Sequence, residues 1–440
     1  MPPPTLIASR LKRQNAHITK LDVGILLVNV MAMAYTFNIS EHIRGRVMKL
    51  ERVYIGGWFQ RTMLHLTEIY NFLKDGTSFL ELNEKKLASL REALEIESME
   101  FSVDGFEQII FTTKKGAEVK IFEDGLIVLS SKVTSTETLN SDIEELKNYY
   151  EERLSKAINY IFSLGAPVPK ELAGIKTVYP YFIVLNDAKP SEMQKFMETI
   201  DKQRYYEYSN AHFDILRGDK YYFINNKTKK PEKVEMYIEE QIFVREFKGQ
   251  LHRYLDLHRI IWERIADVKE QTSVRGRDIV RFTAKIEGYQ KTINLVDSRI
   301  NQMGTYLKTR EKLALRDPDF KDVLEIMEFR YETLGNTLNY IQHIWTMTKN
   351  YVAGARALFS DLQQEVTQKS VENLTVVTSM GVGAGLIALF TTDSMPAFTI
   401  FGVFYFAALA LIGFTVSRVM KKIGERNKYE VGDEDYEKIS

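Results

Sequence analysis

The chain has no cysteine at all, which excludes disulfides, zinc-thiolate centres and thiol nucleophiles together. It also lacks a net charge: lysine plus arginine and aspartate plus glutamate are 59 each, so no global field draws nucleic acid or an acidic polymer. No glycine-rich phosphate loop, no His-Glu metal motif on a helix and no Gly-x-Ser-x-Gly elbow occurs, and the chain is read as not an enzyme and as carrying no cofactor. His252, Asp256 and His258 in LHRYLDLH have metal-ligating side chains, but His252 and His258 fall on different faces of a helix. At 440 residues the chain is too long for a single core and predicts two or three structural units.

What is present is concentrated at the C-terminal end. No charged residue occurs from Leu374 to Phe390, nor from Ala397 to Val416. Both runs are long enough to cross a bilayer as helices. As a hairpin inside a water-soluble core, each would have to be covered on every side. Arg418, Lys421, Lys422, Arg426 and Lys428 follow the second run, whereas the short link between the runs holds Asp393 and no base. The positive-inside bias therefore predicts a multi-pass protein of the cell membrane with both termini cytoplasmic and the link outside. Gly381 and Gly385 form a small-xxx-small pair that would let helices approach closely.

Upstream, Leu324, Met327, Tyr331, Leu334, Leu338, Ile341, Trp345, Thr348, Val352, Ala355, Phe359, Leu362 and Val366 alternate in threes and fours. No proline interrupts this heptad seam, so one helix is predicted from near Asp319 to Phe390, on the order of 100 Å long at about 1.5 Å per residue. A second seam runs from Ile279 to Leu307, with LRDPDF as a tight turn between the two antiparallel helices, and a third helix is predicted from about Val234 to Gln271. Asn373 and Met380 continue the first seam in phase; with Val377 and Ala384 they are the candidate pore-lining residues. Thr391, Thr392 and Asp393 are the candidate pore mouth. The sequence names no metal-binding residue.

The N-terminal part has a different pattern. Asp104-Gly105, Lys115-Gly116 and Asp124-Gly125 at hairpin spacing predict four antiparallel strands. A helix from about Ser141 to Leu164, a buried strand in TVYPYFIVLN, a short helix capped by Ser191 and a hairpin turning at Gly218-Asp219 follow. The first residues hold Arg10, Lys12, Arg13 and Lys20 with no acid, ahead of the apolar VGILLVNVMAMAYTF; they read as a basic arm and then a buried strand, with a targeting segment as the other reading. The expected organisation is a basic arm at 1–20, an α+β cytoplasmic domain at 21–233, a helical stalk of long antiparallel coiled-coil helices at 234–370, two transmembrane helices within 371–418 and a cytoplasmic tail at 419–440.

This order resembles the CorA family of divalent-cation transporters, most closely from about residue 235 to 428. The resemblance implies a homopentamer in the lipid bilayer that passes a cation such as magnesium, as transported or regulatory ion, along an axis lined by the first span. Members of that family carry Gly-Met-Asn at the outer end of this span and Met-Pro-Glu in the loop. Here Leu389-Phe390-Thr391 stands in place of the tripeptide, and Met395-Pro396 is followed by Ala397. Leu389 and Phe390 offer no oxygen dipoles to the water around a hard cation. The second functional reading is a membrane-anchored coiled-coil scaffold or sensor that transports nothing.

Overall fold

The computed structural model describes residues 49–59, 65–103, 106–133, 135–162, 180–201, 203–228, 230–269, 273–316, 321–391 and 400–430. The basic arm, the apolar run before Phe37, the Asp104-Gly105 turn, Asp317 to Phe320 in LRDPDF, and the Thr392–Pro396 link lie outside the described residues. The chain divides into two units. The first comprises 1–167, 174–246 and 310–329, and the second 168–173, 247–309 and 330–440.

The first unit is an α/β domain built on a nine-stranded sheet of order β2-β3-β4-β5-β1-β6-β9-β8-β7. Its strands are β1 (Lys49–Trp58), β2 (Ile96–Ser102), β3 (Gln108–Thr113), β4 (Glu118–Phe122), β5 (Leu126–Lys132), β6 (Tyr181–Asn186), β7 (Tyr206–Ser209), β8 (Phe213–Arg217) and β9 (Tyr221–Asn226). The predicted four-strand meander is β2 to β5, and the predicted turn at Gly218-Asp219 joins β8 to β9. All neighbours are antiparallel except β6 and β9, which pair in parallel.

Helices α1 (Leu66–Asp75), α2 (Glu84–Ala93), α3 (Leu139–Asn148), α4 (Ser155–Phe162) and α5 (Pro190–Ile200) belong to this unit. They bury Ile69, Phe72, Leu146, Ile158 and Phe196 in one cluster with Val53, Ile55, Ile121 and Leu129 of the sheet. Alternation along β1 sends Tyr54, Gly56 and Trp58 the other way. There the Trp58 ring meets Phe243 edge-on, at 6.0 Å. Two local expectations are corrected. The helix expected over 141–164 is interrupted by a π-helical turn, Tyr149–Leu154. Helix α5 starts with Pro190 at its first position and Lys189 at the cap, so Ser191 is no cap; the fixed φ of proline suits that first position.

Four long helices follow: α6 (Pro231–Lys269), α7 (Gly276–Arg316), α8 (Lys321–Thr391) and α9 (Ile400–Arg426). Within the second unit the side chains of α7 and α8 meet in antiparallel order: Phe282 with Phe359, Asp297 with Lys349, and Asn301 with Gln342. The α6 residues His258 and Trp262 reach Trp345 and Tyr351 of α8. Leu334, Leu338, Ile341, Trp345, Val352, Ala355, Phe359 and Leu362 are buried, as three-to-four spacing requires of a seam that packs inside a bundle. Two very short strands, β10 (Ser273–Arg275) and β11 (Lys428–Glu430), pair antiparallel.

Candidate functional site

Helix α8 carries the buried seam without a break into the uncharged segment that begins at Leu374. Asn373, Val377, Met380, Ala384 and Thr391 lie on this helix, but their side chains are outside the described ones; Thr392 and Asp393 are outside the described residues altogether. Seven-residue steps lead from Val352 through Phe359 and Val366 to Asn373 and Met380. The predicted pore-lining residues are therefore in register with a face that, as far as Leu362, packs within this same chain. The opposite face is open. Tyr340 and Met347 are 60% and 56% exposed, and the same step from Met347 reaches Gly354, Asp361, Gln368, Thr375 and Val382.

Polar groups in the first apolar segment are satisfied locally. The hydroxyls of Thr375 and Thr378 donate to the carbonyls of Val371 and Leu374, at 3.0 and 2.8 Å. Neither hydroxyl needs a pore or a partner to be hydrogen-bonded. Among the described residues, a side chain grown from Gly381 or Gly385 would meet nothing within 4 Å, so any close approach they serve is to something outside the described residues.

Helix α9 is apolar as far as Val416, and its described side chains are largely uncovered. Ile400, Phe404 and Leu411 are 75%, 69% and 68% exposed, and Ile412 and Phe414 are exposed too. Exposed apolar surface of that extent marks a face that meets lipid or protein. Among the described residues, no helix is long and apolar enough to cross a membrane.

After α9 the chain is held down. Val274 and Tyr429 of the β10–β11 pair are buried, the Gly276 N–H donates to the Asn427 carbonyl at 3.0 Å, and the Lys369 ammonium lies 5.1 Å from the Tyr429 ring centre. A Cβ at Gly276 would stand 2.6 Å from the Gly424 carbonyl, so only glycine permits this approach. The clasp ties the end of α9 to the start of α7. Three-residue strands give no periodic signal, and the sequence did not reveal it.

Buried charge is gathered mostly in the first unit, although Arg299 of the second is buried as well. Arg310 is 2% exposed and binds both Asp124 and Glu240, the latter at 2.6 Å, while Phe106, Phe122 and Phe243 surround its guanidinium. Beside it, Lys120 on β4 bridges Glu235 and Glu239 of α6, at 3.0 and 3.2 Å. Burial pushes the Glu239 carboxyl up to about 7; Lys120 opposes the shift and Glu235 adds to it. The sequence showed Asp124 as a turn residue only. Its partners lie far along the chain on helices, a pairing that spacing does not expose.

His258 is half-buried against Trp262 and Trp345, and burial lowers its pKa, which favours the neutral imidazole. His252 is exposed. Among the described residues, no group of histidine and carboxylate side chains could hold a metal ion.

No protein-family model matches the chain. No curated protein matches it either. Among solved structures it is similar to the CorA magnesium transporter from Methanocaldococcus jannaschii, at 10% identity and a TM-score of 0.23, over 57% of this chain and 93% of that one. A likeness of that size carries no argument by itself.

Proposed function

We propose that the chain is a CorA-like membrane cation channel or transporter that assembles from identical copies, five of them as the family resemblance implies. The observation that supports this most is the continuity of α8. One helix of 71 residues takes the bundle seam into an uncharged apolar segment, and the exposed, uncharged start of α9 follows it. Crossing a bilayer twice would cover both segments, because lipid accepts apolar helices whose backbone is satisfied internally. Basic residues after Val416 favour a cytoplasmic C-terminal flank, and the clasp to the start of α7 supports a bundle on that same side.

The outward face of α8, through Thr375 and Val382, is the one available to other copies and to an axis between them. Asn373, Val377, Met380 and Ala384 remain the competing lining. Asp393, repeated around a ring, would concentrate cations at the mouth by charge alone, since Leu389 and Phe390 supply no amide ring to hold hydration water. No cofactor and no catalytic step are part of this reading. The missing mouth motif favours the second reading, a membrane-anchored scaffold.

Flux of magnesium and other cations into proteoliposomes, with the mass of the detergent-solubilised complex, tests the proposal. Transport that falls in Asp393→Asn most strongly at low salt supports the channel. An oligomer that passes no cation under any condition supports the scaffold.

A further inference from the structure

The clasp brings two basic segments together. From Arg418 to Lys428 the C-terminal flank holds five bases and one acid, Glu425, and β10 adds Arg275 and Arg277 from the start of α7. The strand register sets Arg275 directly opposite Lys428. Like charges in that position weaken a strand pair. They are also unnecessary to it, since Val274, Tyr429 and the close approach at Gly276 hold the strands. Among the described residues Arg275, Lys421, Lys422, Arg426 and Lys428 have no ion pair, and Arg277 meets only its neighbour Asp278, at 3.7 Å. Val280, Val419 and Ile423 on the same segments are exposed as well.

A basic set without ion pairs among the described residues, with exposed apolar side chains among it, matches the region where acyl chains give way to headgroups. We propose that the rim formed by Arg275, Arg277, Lys421, Lys422, Arg426 and Lys428 seats the phosphates of anionic lipid headgroups on the cytoplasmic leaflet. The proposal rests on the membrane reading above. A phosphate between Arg275 and Lys428 turns their repulsion into two attractions, and the surrounding bases hold a second shell of negative headgroups. The lipid thereby braces the clasp, and with it the junction of α9 and the bundle.

The test uses the full chain in bilayer nanodiscs of phosphatidylcholine mixed with phosphatidylglycerol, with retained lipids counted by native mass spectrometry. The wild-type chain should retain phosphatidylglycerol preferentially and lose that preference as salt rises. Arg275→Gln with Lys428→Gln should lower the preference by roughly tenfold or more, since each base near an anionic surface contributes on the order of a fivefold factor. Lys421→Gln with Lys422→Gln, outside the strand pair, should act in the same direction and covers the case in which the first variant fails to fold. Unchanged preference in a folded variant overturns the headgroup seat. So does displacement of phosphatidylglycerol by equimolar inorganic phosphate, which would identify a site for the free ion. Carbonate extraction of membranes separates the two readings: a chain that stays in the pellet without headgroup preference contradicts only the seat, and a chain that is extracted contradicts the membrane reading itself.

Discussion

The α/β unit and the helical unit solve the same problem, holding long helices in place, with different chemistry. In the first, α6 and the end of α7 are attached to the sheet by charge, with Arg310 buried between Asp124 and Glu240, and Lys120 half-buried between Glu235 and Glu239. In the second, apolar residues fill the seam and the charged pairs, Lys349 with Asp297 and Arg356 with Glu287, stay near water. Buried charge is sensitive to the loss of one partner and to pH. An apolar seam is sensitive to volume and indifferent to pH, so perturbations that distinguish charge from volume should separate the two units.

The largest effect is expected in the first unit. Arg310→Met leaves Asp124 and Glu240 buried without their cation and should cost about 3–5 kcal/mol, read as a lower urea midpoint of the full chain in detergent. If the loss is below about 1 kcal/mol, water reaches these carboxylates and the unit is not held by buried charge. In the second unit Trp345→Ala should cost a similar or slightly smaller amount, about 3–4 kcal/mol at pH 8, through an unfilled volume beside His258.

The heptad seam was legible because three-to-four spacing has a single cause, a helix buried along one side, and Leu334 to Leu362 bear it out. What that spacing does not state is the partner. Leu338 and Ile341 pack inside this chain, so charges there would disrupt the bundle before they reported on assembly. Tyr340 and Met347, on the exposed face, are the positions that test self-association. The meander was legible from its Asp-Gly and Lys-Gly turns. Strand β1 was not, since Gly56-Gly57 reads as a breaker. Yet Gly56 is needed there: a Cβ would stand 2.5 Å from the Ile127 carbonyl and 2.9 Å from Ile242 of α6. The parallel pairing of β6 with β9 and the Arg310 network join residues distant in sequence, and no local pattern encodes either.

A smaller effect is the pH response of the first unit. With Glu239 at about 7 when folded and an ordinary glutamate near 4.5, the folded chain holds a proton that the unfolded chain has released between these values. Stability should therefore fall as pH rises from about 4.5 to 7, by at most about 3 kcal/mol, and Glu239→Gln should flatten that slope. An unchanged slope in Glu239→Gln would assign the titration to another group. The smallest effect is Lys349→Ala. Its partly exposed pair with Asp297 should contribute about 0.5 kcal/mol and vanish in high salt. A cost several times larger would mean that the helical unit depends on charge as the first unit does.

Both units serve the protein as proposed only if α8 delivers the bundle to a bilayer and α9 returns the chain to the same side. Because the chain has no cysteine, single cysteines at Ser394 and Ser440 report on this directly with an impermeant thiol reagent applied to intact cells. The account predicts labelling of Ser394→Cys and protection of Ser440→Cys until the cells are opened. Labelling of Ser440→Cys with Ser394→Cys protected would contradict it.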